Sequence, residues 1–202
     1  MSSGRYIALE GAEGTGKSTH AARLALHLDA VLTRETGGTD IGARLRTILH
    51  DTSLTHLSHR AEALLTAADR AQHIDEIVAP ALAAGRHVVS DRSVYSTLAY
   101  QGFGRGLPVE KIRQINEWAI NSCWPDLVVL IDTPSEVLDR RMRGRQLDRF
   151  EREDNGFHAR VRVGFCAMAE ADPQHWVVID GAAGIDEVGA NIRRCVTERL
   201  QL

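Results

Sequence analysis

The feature that most constrains this chain is the run Gly11-Ala12-Glu13-Gly14-Thr15-Gly16-Lys17-Ser18, which fits the phosphate-binding pattern G-x-x-x-x-G-K-[ST]. The apolar residues 6–9 before it predict a buried strand. Apolar residues after it recur at helical spacing, at Ala21, Leu24, Ala25 and Leu28. A loop between a strand and a helix turns its backbone N–H groups toward a bound anion. The pattern therefore predicts a P-loop rather than a chance glycine-rich turn.

The chemistry of such a loop predicts a role for each of its polar side chains. Lys17 should be solvated in the empty protein and should reach the β- and γ-phosphates of a bound nucleotide, while the Ser18 hydroxyl should bind Mg²⁺. The residues expected to bind ATP are Gly11, Ala12, Glu13, Gly14, Thr15, Gly16, Lys17, Ser18 and Thr19. ATP and Mg²⁺ are thus the expected co-substrate and metal.

Length, charge and cysteine content narrow the class of protein. The chain has 202 residues, which suits a single domain over residues 1–202. Its 24 Lys+Arg and 27 Asp+Glu give a net charge of -3, so the overall charge favours neither nucleic acid nor membrane as a partner. Cys123, Cys166 and Cys195 lack C-x-x-C spacing, which disfavours a zinc site or a disulfide framework. No signal peptide or membrane-spanning run is visible, so we expect a cytoplasmic location.

Apolar strands alternate with amphipathic helices along the chain, which predicts an α/β fold: a doubly wound, five-stranded parallel sheet flanked by helices. The predicted strands cover residues 6–9, 30–32, 87–91, 127–132 and 176–179. The predicted helices include 41–49, 58–84 with a kink at Pro80, 108–122, 155–171 and 185–200. Residues 102–106 are predicted to be a flexible break. Thr133 and Pro134 are predicted as the N-cap and first residue of another helix.

Charged residues follow several predicted strands, at the sheet edge where parallel α/β proteins bind ligands. Asp91 ends an apolar run in the manner of a Walker B element and is, with Ser18, a candidate Mg²⁺ ligand. His50, His56 and His59 cluster loosely on a polar connection, which favours a solvated loop over a metal site.

The segment 140–153 is dense in arginine. It predicts a small mobile lid at approximately residues 143–153, in which Arg143, Arg145 and Arg149 are candidate catalytic residues. For any single arginine, a solvated helix face with interleaved ion pairs explains the pattern equally well.

Taken in order, these motifs resemble those of the bacterial type of thymidylate (dTMP) kinase, a P-loop nucleoside monophosphate kinase family, nearly from end to end. The resemblance is carried by residues 11–18, 33–39, 67–73, 91–93, 96–102 and 147–151. It implies transfer of a phosphoryl group from ATP to dTMP, a step in dTTP synthesis, by a homodimer. It also implies that lid arginines, with Glu13 in the P-loop, serve catalysis beside Lys17 and Arg92.

The same resemblance implies the acceptor site. Arg70 should grip the dTMP phosphate, Arg92 should lie between the donor and acceptor phosphates, and Glu13 should approach the 3′-hydroxyl. The residues expected to bind dTMP are Arg34, Glu35, Arg46, Thr66, Arg70, Arg92, Thr97, Tyr100 and Gln101.

Two residues depart from the family pattern. Thr36 stands where the family has proline, and Thr66 stands where it usually has a phenylalanine stacked on thymine. Two alternatives remain open: a P-loop kinase for another nucleotide or nucleoside acceptor, and a GTP-dependent switch. The switch would need an N-K-x-D-type guanine reader, and none is found in the sequence.

Overall fold

The computed structural model describes residues 4–202 and contains one sheet of five parallel strands in the order β2-β3-β1-β4-β5. The strands are β1 Tyr6–Glu10, β2 Val31–Arg34, β3 Val88–Asp91, β4 Leu127–Asp132 and β5 Trp176–Asp180. All four strand pairs are parallel, so every strand ends at the same edge. The predicted five-stranded parallel sheet is confirmed.

Helices cover both faces of the sheet. The α-helices in the described part of the chain are α1 Lys17–Leu28, α2 Asp40–His50, α3 His59–His73, α4 Ala79–Ala83, α5 Val94–Thr97, α6 Val109–Ile120, α7 Ser135–Met142, α8 Asn155–Ala171 and α9 Ile185–Leu200. Alternate residues of β4 face opposite sides: Val129 and Ile131 pack toward α1 and α9, whereas Val128 and Leu130 pack toward α8. Within residues 4–202, no helix has the length and apolar character needed to cross a membrane.

The long helix predicted over 58–84 is continuous, but its middle is π-helical. The segment Ile74–Val78 lies between α3 and α4, and the Ala79 N–H donates to the Ile74 carbonyl five residues earlier. Pro80 has no N–H, and its ring conflicts with the carbonyl four residues before it. A wider turn ahead of the proline accommodates it without ending the helix.

The flexible break predicted at residues 102–106 is wrong for most of its length. Leu98–Gly104 is a second π-helical segment, and Gly102 and Gly104 are buried in it. A Cβ on Gly104 would lie 2.6 Å from the Phe157 ring, so this glycine allows α8 to approach closely. The glycines therefore reflect tight packing, and the chain turns only at Gly106, where φ is +71°.

The predicted start of α7 is displaced by one residue. Pro134 is the N-cap and Ser135 is the first helical residue, so Thr133 does not cap the helix. The Thr133 hydroxyl is buried and has no hydrogen-bond partner among residues 4–202.

Candidate active site

A cavity of about 1000 Å³ opens at the carboxyl edge of the sheet. It is lined by the P-loop, the ends of β2 and β3, the inner faces of α2 and α3, the π-helical segment 98–104, and part of the segment 143–153. The P-loop residues on its wall are Glu13, Gly14, Gly16, Lys17, Ser18 and Thr19, while Gly11, Ala12 and Thr15 lie behind them. Strands that end at one edge thus bring together residues far apart in sequence.

The backbone of the P-loop makes a tight turn that depends on its three glycines. Gly11, Gly14 and Gly16 have φ values of +139°, +78° and +89°, which residues with a Cβ rarely adopt. The Lys17 ammonium donates to the Ala12 carbonyl at 2.7 Å, and the side chain is 6% exposed. Lys17 is therefore buried, and the expectation that it is solvated is wrong. Burial, reinforced by the positive charge of Arg92, lowers the pKa of Lys17.

The two predicted Mg²⁺ ligands lie together. The Ser18 hydroxyl donates to an Asp91 carboxylate oxygen at 2.5 Å, across the gap between α1 and β3. A hydroxyl and a carboxylate are oxygen ligands of the kind that Mg²⁺ prefers. No cluster of three or more His, Cys, Asp or Glu side chains suited to a metal occurs within residues 4–202. A Mg²⁺ ion here would take its other ligands from phosphate and water, as Mg²⁺ commonly does.

Arg92 occupies the centre of the site. Its backbone has φ +75°, which is uncommon for a residue with a side chain. Its guanidinium pairs with Glu13 and donates to the Gly11 carbonyl at 3.2 Å and the Tyr100 hydroxyl at 3.2 Å. Burial works against its charge, but the neighbouring Glu13, Tyr100, Glu10 and Asp91 side chains together more than offset this and raise the pKa of Arg92. Arg92 thus carries a fixed positive charge between the P-loop and the opposite wall.

Glu10 supports this arrangement, although no sequence pattern marks it. Its carboxylate is fully buried and accepts hydrogen bonds from the backbone N–H and hydroxyl groups of Ser93 and Ser96, at 2.7–3.1 Å. Burial raises its pKa. Glu10 thereby fixes the start of α5 directly after Arg92. In sequence it is only the last residue of an apolar strand.

Two arginines form the far wall of the cavity. Arg46 on α2 donates to the Thr36 carbonyl at 3.1 Å, and Arg34 at the end of β2 donates weakly to the Gly37 carbonyl at 3.4 Å. Burial and the neighbouring charge of Arg34 lower the pKa of Arg46. Two cations that share a wall repel each other, and an anion placed between them removes that repulsion. This wall suits a phosphate group.

Arg70 lines the cavity, but its guanidinium is already bound by the protein. It is 2% exposed, and each N–H of its guanidinium has a protein acceptor. The acceptors are the Glu35 carboxylate, the Thr97 hydroxyl, the Asn116 side-chain oxygen and the Ser93 carbonyl. Arg70 would have to release one of these acceptors to bind a phosphate, and its role in gripping the dTMP phosphate stays a prediction. Glu35, expected to bind substrate, is likewise occupied by Arg70 and His73.

The other predicted acceptor residues also line the cavity, as Glu35 and Arg70 do. Thr97, Tyr100 and Gln101 lie on one wall, and Thr66 faces them from α3. The Thr66 hydroxyl donates to the Ala63 carbonyl of its own helix at 2.8 Å. The Tyr100 hydroxyl lies 3.3 Å from Glu13, which links this wall to the P-loop.

The three lid arginines are placed differently. Arg145 lies at the cavity mouth with its side chain 56% exposed. Arg143 is exposed and lies outside the cavity lining. Arg149 is turned inward, where it pairs with Glu62 at 2.7 Å and donates to the Leu49 carbonyl at 2.8 Å. Of the three, Arg145 is therefore the one positioned to meet a phosphate.

His50 is not on a solvated loop, contrary to the sequence-based prediction. It ends α2, lines the cavity, and its Nδ1 lies 2.7 Å from an Asp148 carboxylate oxygen. Its ring also packs edge-on against Phe150. Burial raises the pKa of Asp148, but the hydrogen bonds from His50 and from two backbone N–H groups outweigh this effect and lower the pKa to about 2. Residues 148–150 are thus attached to the end of α2.

Comparison with known proteins identifies the family. The family model described as thymidylate kinase matches residues 9–192, from β1 into α9. The chain belongs to the thymidylate kinase family. It is 48% identical to a thymidylate kinase of Chromobacterium violaceum over 94% of this chain and 92% of that protein. It is 47% identical to one from a Synechococcus strain, over 98% and 96% of the two chains.

A solved structure agrees in fold. The crystal structure of thymidylate kinase from Ehrlichia chaffeensis superposes with a TM-score of 0.79 at 30% identity, covering 96% of this chain and 99% of that one. The P-loop kinase fold expected from the sequence is confirmed, and the cavity described above falls entirely within the part of the chain that matches the thymidylate kinase family.

Proposed function

We propose that this chain transfers the γ-phosphoryl group of ATP to dTMP, giving ADP and dTDP, the reaction of a nucleoside monophosphate kinase. The observation that carries the proposal is one cavity with two phosphate-binding ends. The P-loop forms the donor end, and Arg34 with Arg46 forms the acceptor end. Arg92 joins them, because its guanidinium contacts both Gly11 and Tyr100.

The donor end would act by positioning and charge. Lys17 now donates to the Ala12 carbonyl and would turn from it toward the β- and γ-phosphates. Ser18 and Asp91 would hold Mg²⁺, which neutralises phosphate charge when bound. Arg92 would stabilise the negative charge that develops on the transferred group, because it is held in place before the reaction begins.

The acceptor end would hold the monophosphate for in-line attack. Arg34 and Arg46 suit its phosphate, while Thr66, Thr97, Tyr100 and Gln101 surround the remaining space for sugar and base. Glu13 would accept a hydrogen bond from the sugar hydroxyl, since its carboxylate lies beside Tyr100 on the wall of the acceptor end. Arg145 would close over the phosphates and help to exclude water, which would otherwise hydrolyse ATP.

An acceptor that lacks phosphate is less well supported. Arg34 and Arg46 would face an uncharged hydroxyl group of a nucleoside, and their mutual repulsion would remain. A homodimer and a cytoplasmic location stay predictions.

The test is ADP formation by the purified protein with dTMP, dUMP, dCMP or thymidine as acceptor. We expect the highest kcat/KM with dTMP and no turnover above background with thymidine. Equal rates with thymidine and dTMP would contradict the phosphate-binding role of the acceptor wall. Slow GTP hydrolysis independent of any acceptor would favour the switch.

A further inference from the structure

One histidine on the cavity wall has no role in the proposed reaction. His50 is the last residue of α2 and follows Arg46 by four residues, so the two side chains project from the same face of the helix. Both line the cavity. Four residues of an α-helix span about 6 Å, which is comparable with the separation between the phosphate and the 3′-hydroxyl of a nucleoside 5′-monophosphate. His50 therefore lies about one sugar's length from an arginine expected to hold the acceptor phosphate.

Asp148 fixes the orientation of the His50 ring. A carboxylate with a pKa of about 2 is ionised at neutral pH and only accepts hydrogen bonds. The His50 Nδ1, which lies 2.7 Å from this carboxylate, must therefore carry a proton and donate it. The ring also packs edge-on against Phe150, with 5.4 Å between the ring centroids. Two contacts from the segment 148–150 thus hold the imidazole in one orientation.

The opposite nitrogen, Nε2, is left for a ligand. No group among residues 4–202 hydrogen-bonds to it, and the side chain is 22% exposed where it lines the cavity. With a proton on Nδ1, Nε2 accepts a hydrogen bond in the neutral ring and donates one in the charged ring. A hydroxyl group complements both states, because it is a donor and an acceptor. The environment of Nε2 therefore suits a hydroxyl.

The position of Glu13 indicates which hydroxyl this is, because Glu13 is expected to bind the sugar. Burial raises the pKa of Glu13, and the charges of Arg92 and Lys17 lower it. The charge of His50 lowers it further, so the imidazole lies within electrostatic range of this carboxylate. A phosphate near the carboxylates of Glu13 and Asp148 would be repelled by both, whereas an uncharged sugar hydroxyl would not.

We propose that His50 is a further substrate-binding residue, whose Nε2 hydrogen-bonds to the 3′-hydroxyl of the acceptor nucleotide, and that Asp148 is the positioning residue that orients it. This inference rests on the proposed phosphorylation of a nucleoside monophosphate. A ring protonated on both nitrogens would donate to Asp148 and to the hydroxyl oxygen, which leaves the hydroxyl proton for Glu13. Adjacent turns of α2 would then hold the acceptor at its phosphate, through Arg46, and at its 3′-hydroxyl, through His50.

The decisive experiment compares the KM for dTMP with the KM for its 3′-deoxy analogue in wild type and His50→Leu. Leucine keeps an apolar side chain against Phe150 and removes both ring nitrogens. We expect the KM for dTMP to rise by about 5- to 10-fold, on the scale of losing one hydrogen bond, with little change in kcat. The KM for the 3′-deoxy analogue should stay at the wild-type value. An unchanged KM for dTMP, or an equal rise for both acceptors, overturns the proposal.

His56→Leu is the matched control. His56 belongs to the same loose group of histidines in the sequence, but it is exposed on the connection after α2 and lies outside the cavity lining. The same substitution there should leave both KM values unchanged. Changes equal to those of His50→Leu would mean that the effect does not depend on the cavity, and would overturn the proposal.

His50→Asn separates the substrate contact from the attachment of the segment 148–150, and it also serves if His50→Leu does not fold. The asparagine amide can still donate to Asp148, but its shorter side chain has no counterpart of Nε2. We expect the KM for dTMP alone to rise, as in His50→Leu. A wild-type KM for dTMP in His50→Asn would assign the effect of His50 to the attachment and would overturn the proposal.

Asp148→Ala tests the positioning role through the ratio of the two KM values. Without the carboxylate the imidazole can rotate, so the ratio should move toward that of His50→Leu. In the double variant the ratio should change no further, because Asp148 acts through the ring, and additive effects on the ratio would overturn this role. Equal KM values for dTMP and its 3′-deoxy analogue in the wild type would overturn this inference alone. Failure of the wild type to use any nucleoside monophosphate would instead overturn the proposed function.

Discussion

The donor and acceptor ends of the cavity are built in different ways. The donor end is one contiguous loop, Gly11–Ser18, whose shape depends on the positive φ values of its glycines. The acceptor end is assembled from α2, α3, β2 and the π-helical segment 98–104, and it depends on buried ion pairs such as Arg70 with Glu35. Removing a side chain at the donor end should therefore impair catalysis, whereas removing one behind the acceptor end should impair stability.

Among changes at the donor end, Lys17→Ala should have the largest effect on catalysis. We expect kcat to fall by about 10³-fold or more, because no other side chain can replace a preorganised ammonium at the γ-phosphate. The fold should survive, because the hydrogen bonds of the Lys17 ammonium in the described chain stay within the P-loop. Steady-state kinetics and thermal melting measure both effects.

The control for this variant is Lys111→Ala, at the chain's other lysine, which is exposed on α6. It should leave both quantities unchanged. Near-wild-type turnover by Lys17→Ala would contradict a catalytic role for the P-loop.

Arg92→Ala tests the residue that joins the two ends. We expect kcat to fall by about 10²-fold, on the scale of losing one oriented charge at the transition state. Arg92→Lys should recover only part of this, because lysine cannot donate to several partners from a planar group. A rise in the KM for dTMP with kcat unchanged would make Arg92 a binding residue only.

Arg70→Met removes the buried ion pair between Arg70 and Glu35 at the acceptor end. It leaves the Glu35 carboxylate buried with only the His73 ring as a side-chain partner, so the unfolding free energy should fall by about 3–5 kcal/mol. Arg46→Met is the comparison, since Arg46 lines the cavity and has no ion pair in the described chain. It should raise the KM for dTMP and leave stability nearly unchanged. Denaturant unfolding that shows equal stability losses would contradict the distinction between the two arginines.

These arginines also show what the sequence can and cannot predict. The P-loop, the parallel sheet and the closeness of Ser18 to Asp91 could be predicted, because each depends on local spacing or on the rule that parallel strands end together. The sequence predicts a phosphate contact for Arg70 and a catalytic role in the lid for Arg149, because arginine suits phosphate chemistry. Whether an arginine instead meets a buried carboxylate depends on tertiary contacts that no local pattern encodes, here Glu35 and Glu62.

Tertiary contacts also explain why the sequence does not reveal two of the buried carboxylates. Glu10 ends an apolar strand and Glu62 lies in a helix, and nothing near them in sequence marks Glu10 as the support of α5 or Glu62 as the partner of Arg149. The glycines at 102 and 104 indicated flexibility, but they serve close packing against Val109 and Phe157. Composition predicts where the chain can bend, and packing decides whether it does.

Asp148→Asn tests how the lid segment is attached near the acceptor end. The pKa of Asp148 is about 2 in the folded protein against an ordinary 3.8, so its contribution to stability is present above pH 3.8 and is lost as pH falls toward 2. The wild type should lose about 2 kcal/mol more than Asp148→Asn between pH 4 and pH 2, as a shift of nearly two pKa units implies. Unfolding curves at several pH values measure this. Parallel losses in the two proteins would contradict the attachment.

Thr66→Phe has the smallest expected effect. Thr66 lines the cavity, its hydroxyl is bound to its own helix, and an aromatic ring there would have the space beside the base. An added stack of about 0.5–1.5 kcal/mol tightens dTMP binding by roughly 2- to 10-fold. The value of kcat should change little, because the base contact is the same in ground and transition states. Calorimetry measures the affinity, and weaker binding would mean that the site is already filled.

The most direct test of the central claim follows both products together. Purified protein is incubated with ATP, Mg²⁺ and dTMP, and the nucleotides are separated over time. If the donor and acceptor ends form one phosphotransfer site, ADP and dTDP should appear in equal amounts, and Lys17→Ala should form both at least about 10³-fold more slowly. ADP formation without dTDP, at a rate independent of dTMP, would contradict the account.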